Sequence, residues 1–192
     1  TYNAIFTLKE GYTWADGSKD PKTVSWTIGR ATVAVPTQSG NPAYTGQAQS
    51  PTWSGYDAAK LTIGGTTTGT NAGTYPATFA PGPNYQWPDG STTAKTVNWT
   101  ISKAAGSLTL NKTSLTLNAA TLSGTITATR AGNGGISAVS SAPSIATVSV
   151  SGNNITVTGK AAGSATITVS VGEGSNHAAP ANKTCSVTVT LP

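Results

Sequence analysis

One stretch of this sequence occurs twice. Residues 12–28 read YTWADGSKDPKTVSWTI and residues 85–101 read YQWPDGSTTAKTVNWTI; Tyr12 and Tyr85, Trp14 and Trp87, Asp16 and Asp89, and Trp26 and Trp99 are each 73 positions apart. Self-similarity at a fixed period constrains a fold more than any single residue does, because each repeat must be one structural unit. The match extends without a gap from residues 1–30 onto residues 74–103, with Tyr2 at Tyr75, Phe6 at Phe79 and Ile28 at Ile101. The sequence therefore divides into residues 1–30, two strand-like runs (1–8 and 22–29) joined by a turn-rich loop; residues 31–103, one whole repeat; and residues 104–192, a different but related unit.

The apolar residues of the repeats are mostly Val, Ile, Trp and Tyr among abundant Thr and Ser, with 22 Gly, 11 Pro and no Met. Such residues fit pleated, half-buried surfaces, so the expected fold class is all-β. Alternation predicts strands at 32–35, 47–53, 60–63, 74–79 and 95–101 in the whole repeat. In 95–101, Val97, Trp99 and Ile101 share one side, which makes Trp99, and by the repeat Trp26, core residues. Strand-like runs follow at 107–110, 114–117, 124–129, 136–139, 145–150, 155–158, 165–171 and 185–191, and Gly152-Asn153-Asn154 marks a hairpin turn. A lone two-stranded hairpin is marginal in water. Residues 1–30 are thus expected to complete a sheet with further residues of their own repeat or with a neighbouring chain. The short connections 28–31 and 101–106 predict units held in limited relative orientations.

Charge is sparse. Eleven Lys and Arg against six Asp and Glu give a net charge of +5, but the cations are scattered singly, without the stripe a nucleic-acid track needs. Solvated lysines and no nucleic-acid partner are expected. No apolar run reaches the roughly 20 residues of a membrane helix, so no membrane insertion is expected. Cys185 is the only cysteine and can form no internal disulfide; it falls on an inward face with Val187, Val189 and Leu191, as an inert thiol. His177 sits in a Gly-rich loop and reads as a solvated histidine, since no activated serine motif accompanies it. The carboxylates are dispersed, with no calcium loop and no His or Cys set for zinc. No catalytic residue, no metal and no cofactor are expected.

Two segments carry a resemblance. Asn71-Ala72-Gly73-Thr74-Tyr75 resembles the tyrosine corner of immunoglobulin-like sandwiches, whose phenol bonds back to the chain upstream; on that likeness residues 1–30 are an F–G hairpin. SLTLNKTSLTL at 107–117, IATVSVSGNNITVTGKAAGSATITVSV at 145–171 and CSVTVT at 185–190 resemble the bacterial immunoglobulin-like domains of group 2 over residues 106–191. NAGTYPATF and NYQWPDGSTTAKTVNWTI are similar to immunoglobulin-like repeats of bacterial surface proteins and of phage tail or fibre proteins. The resemblance implies tandem antiparallel β-sandwiches, without enzymatic activity, on a virion or a bacterial surface. A carbohydrate-binding module or an accessory domain of a secreted glycosidase is the alternative. Candidate ligand contacts are Tyr12, Trp14, Tyr85 and Trp87, whose rings could stack on sugars, with a host or cell-surface glycan or protein as partner. Self-association through the 1–30 hairpin is a further expectation.

Overall fold

The computed structural model describes residues 1–192. The chain is built from seventeen strands: β1 Tyr2–Phe6, β2 Lys22–Trp26, β3 Ala31–Thr32, β4 Thr37–Ser39, β5 Thr52–Ser54, β6 Leu61–Gly65, β7 Gly73–Pro81, β8 Tyr85–Gln86, β9 Lys95–Ile101, β10 Ser107–Leu110, β11 Ser114–Asn118, β12 Ser123–Ala131, β13 Ile136–Ser140, β14 Ala146–Ser151, β15 Asn154–Gly159, β16 Gly163–Val171 and β17 Lys183–Thr190. The molecule is all-β, and no helix is long and apolar enough to cross a membrane.

The strands fall into three groups. β1 pairs only with β2, antiparallel, from Tyr2 opposite Trp26 to Phe6 opposite Lys22. In the following unit β7 lies between β6 and β9, and β3–β8 and β4–β5 form two separate two-stranded pairs. The register of β7 on β9 sets Tyr75 opposite Trp99 and Phe79 opposite Lys95, which is the register of β1 on β2 shifted by the repeat. Side chains alternate across a strand, so this register sends Ala77 and Phe79 inward with Trp99 and Ile101. They join Leu61 and Trp87 in one buried cluster, with Trp53, Tyr56 and Tyr75 packed around it.

The last unit is a sandwich of two four-stranded sheets, ordered β10-β12-β15-β14 and β11-β17-β16-β13. Its strands alternate regularly: Ile155 and Val157, then Ala165, Ile167, Val169 and Val171, then Cys185, Val187 and Val189 all point inward. Leu191 is half-buried at the rim. β11 runs parallel to β17, a pairing that joins the two layers because the first strand of the unit switches sheets at Asn111–Thr113.

The structure departs from the sequence reading in several places, and the run expected at 32–35 is strand only at its start, in Ala31–Thr32. The run expected at 47–53 is strand only at Thr52–Ser54, because Gln49 pairs singly with Gly69 in an isolated bridge and spends its side-chain amide on the Ala43 carbonyl, 2.9 Å away. Strands β4 and β8 were not expected; both are too short to alternate visibly. Trp26 is not a core residue. It is 50% exposed where Trp99 is fully buried, because no second layer covers β1 and β2.

Candidate functional site

The repeated loop folds identically in both copies. In the second copy a turn closes with Trp87 N–H donating to the Ser91 carbonyl and Gly90 N–H to the Trp87 carbonyl, each at 2.9 Å. The first copy has the same pair at the same distances, Trp14 to Ser18 and Gly17 to Trp14. Gly90 and Gly17 take φ of 78° and 81°, left-handed values that only glycine adopts without strain. Asp89 Oδ1 accepts from Ser91 N–H at 2.9 Å and from its hydroxyl at 2.6 Å, an Asx turn. Asp89 Oδ2 accepts from Lys95 Nζ at 2.6 Å, and that ammonium lies 5.7 Å from the centre of the Trp87 ring. The indole N–H of Trp87 donates to the Thr93 carbonyl at 2.8 Å. Every one of these contacts recurs in the first copy: Asp16 with Ser18, Lys22 on Asp16, Lys22 at 5.4 Å from the Trp14 ring, and Trp14 Nε1 donating to the Asp20 carbonyl at 2.7 Å.

The loop is therefore a clasp, in which an aspartate at the turn grips a lysine on the returning strand across an indole. The lysine ammonium beside Asp16, with the Ser18 hydroxyl and amide, holds that carboxyl down to about 2 from an ordinary 3.8. Asp89 is lowered further, by Lys95 first and Ser91 second.

The four candidate ligand contacts are placed unequally. Trp87 is 0% exposed, and its indole N–H is already bonded, so its ring offers no face to a sugar while the unit is folded. Tyr85 is half-buried in β8, and its backbone pairs with Ala31 of β3. Tyr12 is 67% exposed, and Trp14 is half-buried beneath Lys22. The structure brings Trp14 together with Asp16 and Lys22, and Trp87 separately with Asp89 and Lys95, residues that read from sequence as turn formers and solvated charges. The signal was present in the recurrence of Lys22 at Lys95, 73 positions on.

Junctions between units are pinned. At the first junction the Arg30 guanidinium donates to the Pro83 carbonyl at 3.0 Å; just beyond it, within the second unit, Ala31 N–H donates to the Asn84 carbonyl and Val33 N–H to the Gln86 carbonyl, both at 2.9 Å. At the second junction Lys103 pairs with Glu173 across the boundary at 2.9 Å, next to Ala104, which exchanges backbone bonds with Asn176 and Ala178 inside the last unit at 2.9 Å. Asn176 spans the two units: its Oδ1 accepts from Ala72 N–H at 2.8 Å and its Nδ2 donates to Asn71 Oδ1 at 3.0 Å. His177 is not a solvated loop residue. It is half-buried, with its ring edge-on to Tyr44 at 5.5 Å and Gly132 packed against its Cβ. No three His, Cys, Asp or Glu side chains lie close enough together to hold a metal ion. The Cys185 thiol is buried, and burial pushes its pKa up.

The tyrosine corner is present: the Tyr75 hydroxyl donates to the Asn71 carbonyl at 2.6 Å. Paired antiparallel sheets with this corner define immunoglobulin-like sandwiches. Within the C-terminal unit, residues 104–182 match the model of the bacterial Ig-like domain (group 2) family. Among solved structures the chain is similar to domains 4 and 5 of the S-layer protein SbsC, at 19% identity and a TM-score of 0.39, covering 83% of this chain and 100% of that one. It is also similar to SbsC domains 1–6, at 18% identity and a TM-score of 0.40, covering 100% of this chain and 28% of that one. Fibronectin(III)-like modules of Clostridium thermocellum CbhA align at 13% identity and a TM-score of 0.35, over 84% of this chain and 91% of theirs. Likenesses this loose carry no function across. No curated protein matches the chain.

Proposed function

We propose that the chain is a structural and adhesive segment of a surface-exposed protein, on a phage tail or fibre or on a bacterial cell, and that it performs no catalysis. The observation that carries this reading is the pair of junctions. Arg30 donates to Pro83 of the following unit, Lys103 pairs with Glu173 across the second junction, and Asn176 bonds Ala72 and Asn71 of the unit before it. Modules joined in this way transmit position from one to the next, which is what a stalk requires and an isolated binding domain does not. The hydroxyl-rich outward faces, such as Ser137 against Ser170 with 2.7 Å between their oxygens, suit a strand surface bathed in solvent.

The group 2 family match at residues 104–182 supports a bacterial or phage setting. The test is immunogold labelling, with antibody raised against the purified chain, of the virions and cells that carry the gene. Decoration along a tail, fibre or cell surface supports the reading, and signal confined to the cell interior contradicts it.

A second reading, glycan contact, rests on Tyr12. Its ring is exposed just ahead of the first clasp, with Trp14 two residues away in sequence, and exposed aromatic groups suit stacking on sugar rings. Loss of glycan-array signal on Tyr12→Ala, with the melting temperature unchanged, would support it. Arrays blank for the unaltered chain would end it.

A further inference from the structure

The hairpin β1–β2 repeats β7–β9 in sequence, register and side-chain geometry, yet it is bare where β7–β9 is covered. Tyr2 stacks on Trp26 at 4.8 Å and 25°, as Tyr75 stacks on Trp99 at 4.7 Å and 26°. Phe6 is 52% exposed and Trp26 50%, against 0% for Phe79 and Trp99. The difference lies in what residues 31–73 do for the second hairpin. β6 pairs along the free edge of β7, setting Ile63 opposite Phe79. Trp53 packs edge-on against Phe79 at 4.8 Å. Gln38 clamps Thr100, its Oε1 accepting the Thr100 N–H at 2.9 Å and its Nε2 donating to the Thr100 carbonyl at 3.0 Å. The Thr66 carbonyl accepts from Trp99 Nε1, and the Asn71 carbonyl accepts from the Tyr75 hydroxyl.

Each group gripped in this way has its identical counterpart 73 positions earlier: Phe6 for Phe79, Thr27 for Thr100, Trp26 for Trp99 and Tyr2 for Tyr75. The hairpin is a receptor whose fittings match a known occupant. We propose that the apolar face and free β1 edge of the hairpin are the docking surface for a segment of a sister repeat. That segment has the character of residues 31–73 and enters β1 in the direction in which Gly73 enters β7.

The structure also specifies what the segment must contain. It needs a strand of the pattern Leu-x-Ile-Gly-Gly to pair with Ala4–Leu8, the counterparts of Ala77–Pro81, and cover Phe6 and Trp26. It needs a glycine where Gly69 stands, because a Cβ there would meet the Tyr75 ring at 2.6 Å. A tryptophan corresponding to Trp53 supplies the edge contact to Phe6. A second copy of the hairpin offers none of these: two such faces pressed together would bury the rings but leave the β1 edge and the Thr27 backbone unmatched.

The test fuses an additional copy of residues 31–73 ahead of Thr1 of the full chain and compares it with the unfused chain by hydroxyl-radical footprinting and amide hydrogen exchange, both resolved by mass spectrometry. On docking, labelling of Trp26 falls to that of Trp99, and exchange at Ala4–Leu8 slows to that of the matching residues of β7. The same fusion carrying Ile63→Asp in the added copy keeps Trp26 as reactive as in the unfused chain. A fusion with the unaltered segment that leaves Trp26 reactive overturns the proposal. So does an unfused chain that protects Trp26 in proportion to its own concentration, since the occupant would then be a second copy.

Discussion

The same tryptophan stands in two environments in one chain, and that pair is the most direct probe of packing at the level of single residues. Trp99 and Trp87 are fully enclosed, so truncating either to alanine removes a large buried ring and leaves a cavity, a loss of about 3–5 kcal/mol. Trp26 is half in water, and in the chain as it stands Trp26→Ala is expected to cost less than about 1 kcal/mol. Chemical denaturation of the three variants checks this; equal losses for Trp26 and Trp99 would contradict it. Asp16 supplies a second prediction. Its carboxyl is held at about 2 by Lys22 and then Ser18, so the folded clasp binds its proton less readily than the unfolded chain does. The clasp's contribution is fully present above the ordinary carboxylate value of 3.8 and is lost as pH falls through about 2. A carboxyl-carbon NMR titration should find the Asp16 midpoint near 2, and a midpoint near 3.8 would show the clasp open in solution. Both partners are exposed, so added salt should move the midpoint upward.

At the scale of elements, what could be read in advance follows from which physical signal each element carries. β7, β9 and the strands of the last unit run over four to nine residues, and period-2 alternation with one buried face leaves little freedom of register. Their positions were therefore legible, as was the tyrosine corner from Asn71 to Tyr75. β3, β4 and β8 span two or three residues; a pairing that short is decided by where distant parts of the same unit place their backbone. The clasp was half-legible. Asp-Gly-Ser announced the turn at both copies, but nothing local showed that Lys22 and Lys95 return six residues later to grip the aspartate. Nor did Tyr-x-Trp show that Trp87 points inward, since an exposed aromatic platform and a buried strand have the same alternation. Asp89→Ala removes the carboxylate that holds both the turn and Lys95. It is expected to speed amide exchange at Gly90 and Ser91 while leaving β16 and β17 unchanged. A uniform effect over both units would show that the clasp is not a local element.

For the molecule as a whole, the junctions decide behaviour. Asn176 is the one side chain bonded to both Asn71 and Ala72 across the second junction, with Tyr44 and His177 packed beside it. Its pattern could not be read from sequence, because an asparagine in a Gly-rich loop looks the same whether it meets water or another module. Asn176→Ala is expected to leave each unit's own stability within about 0.5 kcal/mol, the usual range for a surface position, while loosening one unit against the other. The account rests on modules fixed to one another. Residual dipolar couplings measured in one alignment medium test that most directly: a single alignment tensor should fit the amides of residues 31–103 and 104–192 together. Two tensors of clearly different magnitude, in the unaltered chain, would mean that the units tumble separately and that the junctions do not hold.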